Sequence, residues 1–141
     1  MVQSRTDIAA QFISTLPHAQ ALGLSLSRIG FGDAEIQLPY DTALIGDLET
    51  GVIHGGAVSA LMDTCCGAAV MGHPDAGVAT ATIDLRIDYM RAAVPKTTIV
   101  AVAECFHMTS SVAFVRATAH DGTSQTPVAT ATGTFAVERA T

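Results

Sequence analysis

HGGAVSALMDTCCGAAVMGH, residues 54–73, decides how this chain folds. Its spacing predicts a helix from about Gly56 to Met71, stopped by Gly72, His73 and Pro74. Ala57, Ala60, Leu61, Thr64, Ala68 and Met71 share one face, and Ser59, Asp63, Cys66, Gly67 and Val70 share the opposite one. Both faces are small and mostly apolar, so the helix should be surrounded by protein on most sides. Asp63 stands out, because a carboxyl among buried neighbours is costly unless it is paired or put to use. Gly55 and Gly56 at the mouth of the helix let another molecule approach the N–H groups of the first turn.

The flanking sequence supplies what would surround this helix. Residues 4–16 read as a short amphipathic helix with Ile8, Phe12 and Ile13 on one side, ended by Pro17. Leu22, Leu24 and Leu26 alternate in a strand over 22–29, and a second short strand covers 34–38 after the turn at Gly30 and Gly32-Asp33. Residues 40–53 hold turn formers without a period and read as a loop. The second half is nearly all strand: 79–90, 97–107, 111–119 and 128–137, with turns at Thr109-Ser110 and Asp121-Gly122. In the first of these, strict alternation puts Ile83, Leu85, Ile87 and Tyr89 on one face and Thr82, Asp84, Arg86 and Asp88 on the other. One long helix followed by a strand meander is an α+β pattern with an antiparallel sheet. No repeat or linker divides the 141 residues, so a single domain over 1–141 is expected, with 1–19 as a helical extension.

Composition narrows the function. A net charge of −6 argues against general nucleic-acid binding, which needs a basic footprint. The N-terminus lacks the apolar core of a signal peptide, and the long apolar run is interrupted by Ser59, Asp63 and Thr64. Cys65, Cys66 and Cys105 are an odd set that includes an adjacent pair, not a disulfide framework. A cytoplasmic protein without a membrane span is therefore expected. Adjacent helical cysteines diverge by about 100°, so Cys65, Cys66 and His73 are not expected to share a metal. His18, His107 and His120 have no recognisable partner in the sequence.

The pattern Gly51-x-x-His54-Gly55-Gly56, then Asp63, resembles the acyl-CoA thioesterases of the phenylacetate-degradation (PaaI-like) type. TIDLRIDYMRAA (82–93) is similar to that family's central strand, and TSSVAFVRATAHD (109–121) is similar to its following strand pair. The resemblance spans roughly residues 20–137 and implies a hotdog fold, a sheet wrapped round one helix. It implies Asp63 as catalytic nucleophile or general base and Gly55 N–H as the group that polarises the thioester carbonyl. It gives His54 a supporting role and Thr82 a part in positioning water. It departs at Leu48, where relatives often carry Asn six residues before the histidine; Asp47 is its neighbour.

Thioester hydrolysis fits these residues. The thiolate is a good leaving group, so one carboxylate and helix-start amides suffice without a strong general acid. Gly56 joins the candidate substrate contacts, as do Ser110 and Ser111 for a pantetheine arm and Arg91 and Arg116 for CoA phosphates. For each of these a plain turn, packing or surface role is the competing expectation. Asp63 lies about two turns, ~10 Å, along the helix from its start. That separation implies that Asp63 of one subunit works with Gly55 of its partner, hence a dimer or dimer of dimers. No metal or prosthetic group is expected, since CoA belongs to the substrate. Two alternatives stand beside the thioesterase: a hotdog hydratase or dehydratase, and a non-catalytic acyl-CoA-binding module that would not need Asp63.

Overall fold

The computed structural model describes residues 2–141. Helix α1 (Arg5–Thr15) opens with a reciprocal cap: the Ser4 hydroxyl accepts from the Asp7 N–H, and Asp7 accepts from the Ser4 N–H. Pro17 does not simply end this segment. It occupies the first turn of a second helix, α2 (Pro17–Leu22), where a missing N–H costs nothing. The helical extension therefore reaches Leu22, and the first strand is shorter than the leucine alternation suggested: β1 spans Ser25–Ile29.

β2 (Asp33–Leu38) follows, then a 3-10 turn over Thr42–Leu44 and a small antiparallel pair, β3 (Ile45–Asp47) and β4 (Val52–Ile53). Residues 40–53, expected as a plain loop, thus contain their own miniature sheet. It delivers the chain to the long helix α3 (Gly55–Gly72), one residue longer at each end than the sequence pattern implied. β5 (Ala79–Tyr89), β6 (Ile99–Met108), β7 (Val112–His120) and β8 (Ala129–Glu138) complete one antiparallel sheet in the order β1-β2-β6-β7-β8-β5.

The inner face of this sheet is built largely of alanine. Ala101 and Ala103 on β6, Ala113, Ala117 and Ala119 on β7, and Ala129 and Ala131 on β8 are all buried. Small side chains let the sheet curve closely around α3, whose Leu61, Met62, Cys65 and Val70 fill the space. α3 is long and apolar enough to cross a membrane, but it is the core of this fold and two thirds of it is buried. Only one strip of α3 is partly open: Gly55 and Gly56, Ser59 and Ala60, Asp63 and Thr64. These pairs recur every four residues, so they line up along the side where the sheet runs out at edge strand β5. Ala60 and Thr64 are therefore neighbours of Asp63, not residents of the opposite face.

β5 also departs from strict alternation. Its pairing with β8 slips between Thr82 and Asp84, so Ile83 is an extra residue in a β-bulge. Past the bulge the faces exchange, and Thr82 comes to lie on the helix side with Leu85 and Ile87, while Ile83 is exposed. Opposite the bulge sits Gly133, where a Cβ would lie 2.3 Å from the Asp84 carbonyl oxygen. Asp84 seals the distortion by accepting from the Thr134 N–H and hydroxyl.

Candidate active site

The start of α3 is held by three contacts. His54 is the N-cap residue, and its Nδ1 accepts from the Gly56 N–H at 2.8 Å. Its own N–H donates to the Leu44 carbonyl, tying the helix to the 3-10 turn. Tyr89, at the end of β5, donates its hydroxyl to the Gly55 carbonyl at 3.0 Å and also bonds the Ser59 hydroxyl. Its ring lies flat enough on the first turn that a Cβ on Gly55 would touch it at 3.5 Å.

This geometry separates the two glycines. The Gly56 N–H, expected to be open to a ligand, is already taken by the histidine. The Gly55 N–H is not engaged by that cap and lies at the positive end of the helix dipole. His54 acts as a cap through an unprotonated Nδ1, since an acceptor nitrogen carries no hydrogen.

Two turns further along, Thr82 donates its hydroxyl to Asp63 Oδ1 at 2.7 Å. Oδ2 receives no donor among the described residues. This pair stands between two cavities. One, of about 160 Å³, lies toward the C-terminal half of α3 and is bounded by Phe12 and Leu16, by Gly67 and by Phe135. The other, of about 440 Å³, is wide and shallow and is lined by Ser59, Ala60, Leu85 and Ile87. Asp63 is thus half-buried, hydrogen-bonded on one oxygen and open to space on both sides.

The remaining candidates lie elsewhere. Arg91 is not available as a free cation. Its Nη1 and Nη2 donate to Asp121 at 2.7 Å each, its Nε donates to the Thr126 carbonyl, and Nη1 also reaches the Ala92 carbonyl. The Asp121 side chain is fully buried and also accepts from the Val94 N–H and from the Thr123 N–H and hydroxyl. The guanidinium holds this carboxyl well below the usual carboxylate range, with the Val94 and Thr123 donors adding to it against the opposing effect of burial. Arg91 is therefore a structural clamp between the ends of β5 and β7.

Arg116 pairs with Glu104 at 3.2 Å and stacks over Phe106, 4.6 Å from its ring centre, on the outer face of the sheet. Ser110 and Ser111 form the exposed β6–β7 turn, which Arg139 fastens by donating to the carbonyls of Ser110, Thr109 and Asp75. Asp75 follows the C-terminus of α3, so this turn sits at the far end of the helix from Gly55. None of these four residues joins Asp63 within one chain.

Leu48, six residues before His54, is 95% exposed at the tip of a turn. Asp47 closes that turn by accepting from the Glu49 N–H and the Thr50 hydroxyl. Burial pushes the Cys65 thiol up to about 12, and Cys66 and Cys105 are raised by the same cause. They are packing groups, not nucleophiles. Among the described residues no three His, Cys, Asp or Glu side chains are placed to hold a metal ion.

The sequence patterns did not place Tyr89, Ser59 or Phe12 at the site. Ser59 carried a signal in its four-residue spacing from Asp63. Tyr89 and Phe12 come from distant segments and carried none.

The sequence profile of the thioesterase superfamily matches residues 50–128, more than half of the chain and the whole stretch from Thr50 through α3 to β7. No functionally curated protein matches the sequence. Among solved structures, one protein of Pseudomonas aeruginosa is 37% identical, with 95% of this chain and 99% of that chain covered and a TM-score of 0.83. A second, described as a conserved protein of the same organism, is 30% identical, with 92% and 99% covered and a TM-score of 0.80. The PaaI protein of the Escherichia coli phenylacetic acid degradation operon is 20% identical, with 97% and 96% covered and a TM-score of 0.84, and thereby shares the fold. A sheet wrapped round one glycine-led helix, an aspartate on that helix's open strip and the profile match lead to one assignment: the chain belongs to the thioesterase superfamily and has the hotdog fold.

Proposed function

We propose that this protein is an acyl-CoA thioesterase of the PaaI-like type, acting as a dimer in which Asp63 of one subunit works with Gly55 of the partner subunit. The observation that carries the reading is the placement of Asp63. It is fixed on one oxygen by Thr82, it keeps the other oxygen free, and it borders a compact cavity with two phenylalanines on its wall on one side and an open groove on the other.

Hydrolysis requires water oxygen to bond the thioester carbon, the C–S bond to break, and the thiolate sulfur to leave and be protonated. Asp63 Oδ2 is placed to take the proton of that water, or to attack the carbon itself and be released by water afterwards. Thr82 holds Oδ1 and leaves Oδ2 without a donor from the described residues. The negative charge that grows on the carbonyl oxygen needs a fixed donor, and a helix-start amide is a strong one.

Within one chain Gly55 and Asp63 are eight residues apart, ~12 Å along the axis, too far to share one carbonyl. A partner supplies the missing half. β5 is an edge strand whose outer hydrogen-bonding groups are unpaired, with Ile83 and Tyr89 exposed on it. A two-fold antiparallel pairing of two β5 strands centred between Leu85 and Arg86 sets Thr82 of one copy opposite Tyr89 of the partner subunit. Thr82 lies over Asp63 and Tyr89 over Gly55, so this register brings each aspartate to the partner's helix start.

The test is thiol release from a panel of acyl-CoAs by wild type and Asp63→Asn, which keeps the shape and the Thr82 contact. The expected loss is about 100- to 10,000-fold with binding retained. Equal release by both variants refutes the role of Asp63. Binding without release from any acyl-CoA supports a non-catalytic module, and hydration of an enoyl-CoA supports a hydratase.

A further inference from the structure

Resting on the thioesterase reading, we infer that the N-terminal helix sets the acyl specificity of this protein: Phe12 and Gly67 bound a cavity that admits a compact acyl group and turns away long fatty acyl chains.

The cavity beside Asp63 holds about 160 Å³. A benzene ring occupies an apolar protein cavity of about 150 Å³, so this space suits roughly six to eight carbon atoms, linear or cyclic. Its walls come from three directions. Gly67 lies one turn beyond Asp63 on α3, Phe135 comes from β8, and Phe12 and Leu16 come from α1 and its C-cap. The polar groups on the wall make few demands. The Thr80 hydroxyl donates to the Ala136 carbonyl and the Thr82 hydroxyl to Asp63, so the polar groups left to an occupant are the Thr64 hydroxyl and the free Asp63 oxygen, both at the thioester end, while Phe12, Leu16, Gly67 and Phe135 face the tail.

The direction of the tail follows from the helix. Ser59 lines the open groove on the N-terminal side of Asp63, whereas Gly67 lines the cavity on the C-terminal side. A thioester carbon at Asp63 therefore sends its acyl tail toward Gly67 and its sulfur toward the groove. The tail then meets α1. That helix is packed down on the body of the protein: Ala9 and Ile13 are buried, and Arg5 Nη1 donates to the Gly77 carbonyl at 2.9 Å. Phe12, the neighbour of Ile13, is 40% exposed, so it forms a wall between cavity and solvent and is not part of the packed core.

Gly67 is the complementary control. A Cβ there would meet the Phe135 ring at 3.7 Å, an ordinary contact, so alanine fits and its methyl narrows the cavity. The experiment measures kcat/KM on straight-chain acyl-CoAs from two to sixteen carbons for wild type, Phe12→Ala and Gly67→Ala. Wild type should fall steeply beyond about eight carbons. Phe12→Ala should raise turnover of the ten- and twelve-carbon substrates roughly 10-fold relative to the four-carbon one, and Gly67→Ala should lower the six- and eight-carbon substrates by a similar factor. A length profile unmoved by both substitutions overturns the inference while leaving the hydrolase intact. The same lengths are presented as S-alkyl-CoA thioethers in a calorimetric binding assay. If no acyl-CoA is cleaved but this profile shifts with Phe12, the cavity assignment holds and only the hydrolytic reading falls. Profiles flat in both assays overturn it.

Discussion

In the proposed mechanism the Asp63 carboxylate depends on what fixes it, and that is a single threonine hydroxyl. Thr82→Val keeps shape but removes the donor, so Asp63 is free to turn. We expect kcat to drop about 10-fold with KM little changed, and Thr82→Ser to restore most of it; a valine variant with wild-type kcat refutes the positioning role. Asp63 was legible in the sequence because its oddity is local: one acid within an apolar helix. The helical side of Thr82 was not, because a one-residue bulge at Ile83 reverses every side chain beyond it and strict alternation contains no hint of it. Arg91 shows the opposite failure. In sequence it is one of a few cations, and its partner Asp121 lies thirty residues away, in a turn that only the folded sheet brings beside it.

At the scale of elements, the helix start offers a clean substitution. Gly55 is the first helical residue, where proline is well tolerated, and His54 has φ −58° and ψ 135°, which suits a residue before proline. Gly55→Pro deletes the N–H, and the Cβ it adds meets the Tyr89 ring at an ordinary 3.5 Å. The helix should persist by circular dichroism while kcat falls roughly 100- to 1000-fold. A variant that is fully active shows that another donor receives the charge. The extent of α3 was readable from its apolar run, as was the meander that follows. The α1–α2 pair was not, since Pro17 ends one helix and begins the next with the same chemistry. Nor was the miniature β3–β4 sheet, whose strands are too short to show a period.

For the whole molecule, the proposed sharing of a site between subunits makes a prediction that a self-contained site does not. Asp63→Asn and Gly55→Pro subunits, each inactive alone, should complement when co-folded, because in a mixed dimer one site carries both defects and the other carries none. Random pairing gives about a quarter of wild-type activity; no recovery, with mixed dimers present by mass, places both groups in one subunit. Stability has its own signature at acid pH. The folded Asp121 carboxyl ionises at lower pH than an unfolded aspartate, so the Arg91 clamp contributes fully at neutral pH. That contribution fades as pH drops below about 4 and on through the folded value. Asp121→Asn should lower Tm by roughly 5 °C or more at pH 7 and flatten the acid side of the Tm–pH curve; an unchanged curve removes the clamp from the stability account. Arg139 has a practical consequence. By donating to the carbonyls of Ser110, Thr109 and Asp75, it buckles the end of the closing strand to a hairpin and to the segment leaving α3. Cutting the chain before Arg139 would therefore unfasten that pole of the sheet, even though β8 itself would be left whole.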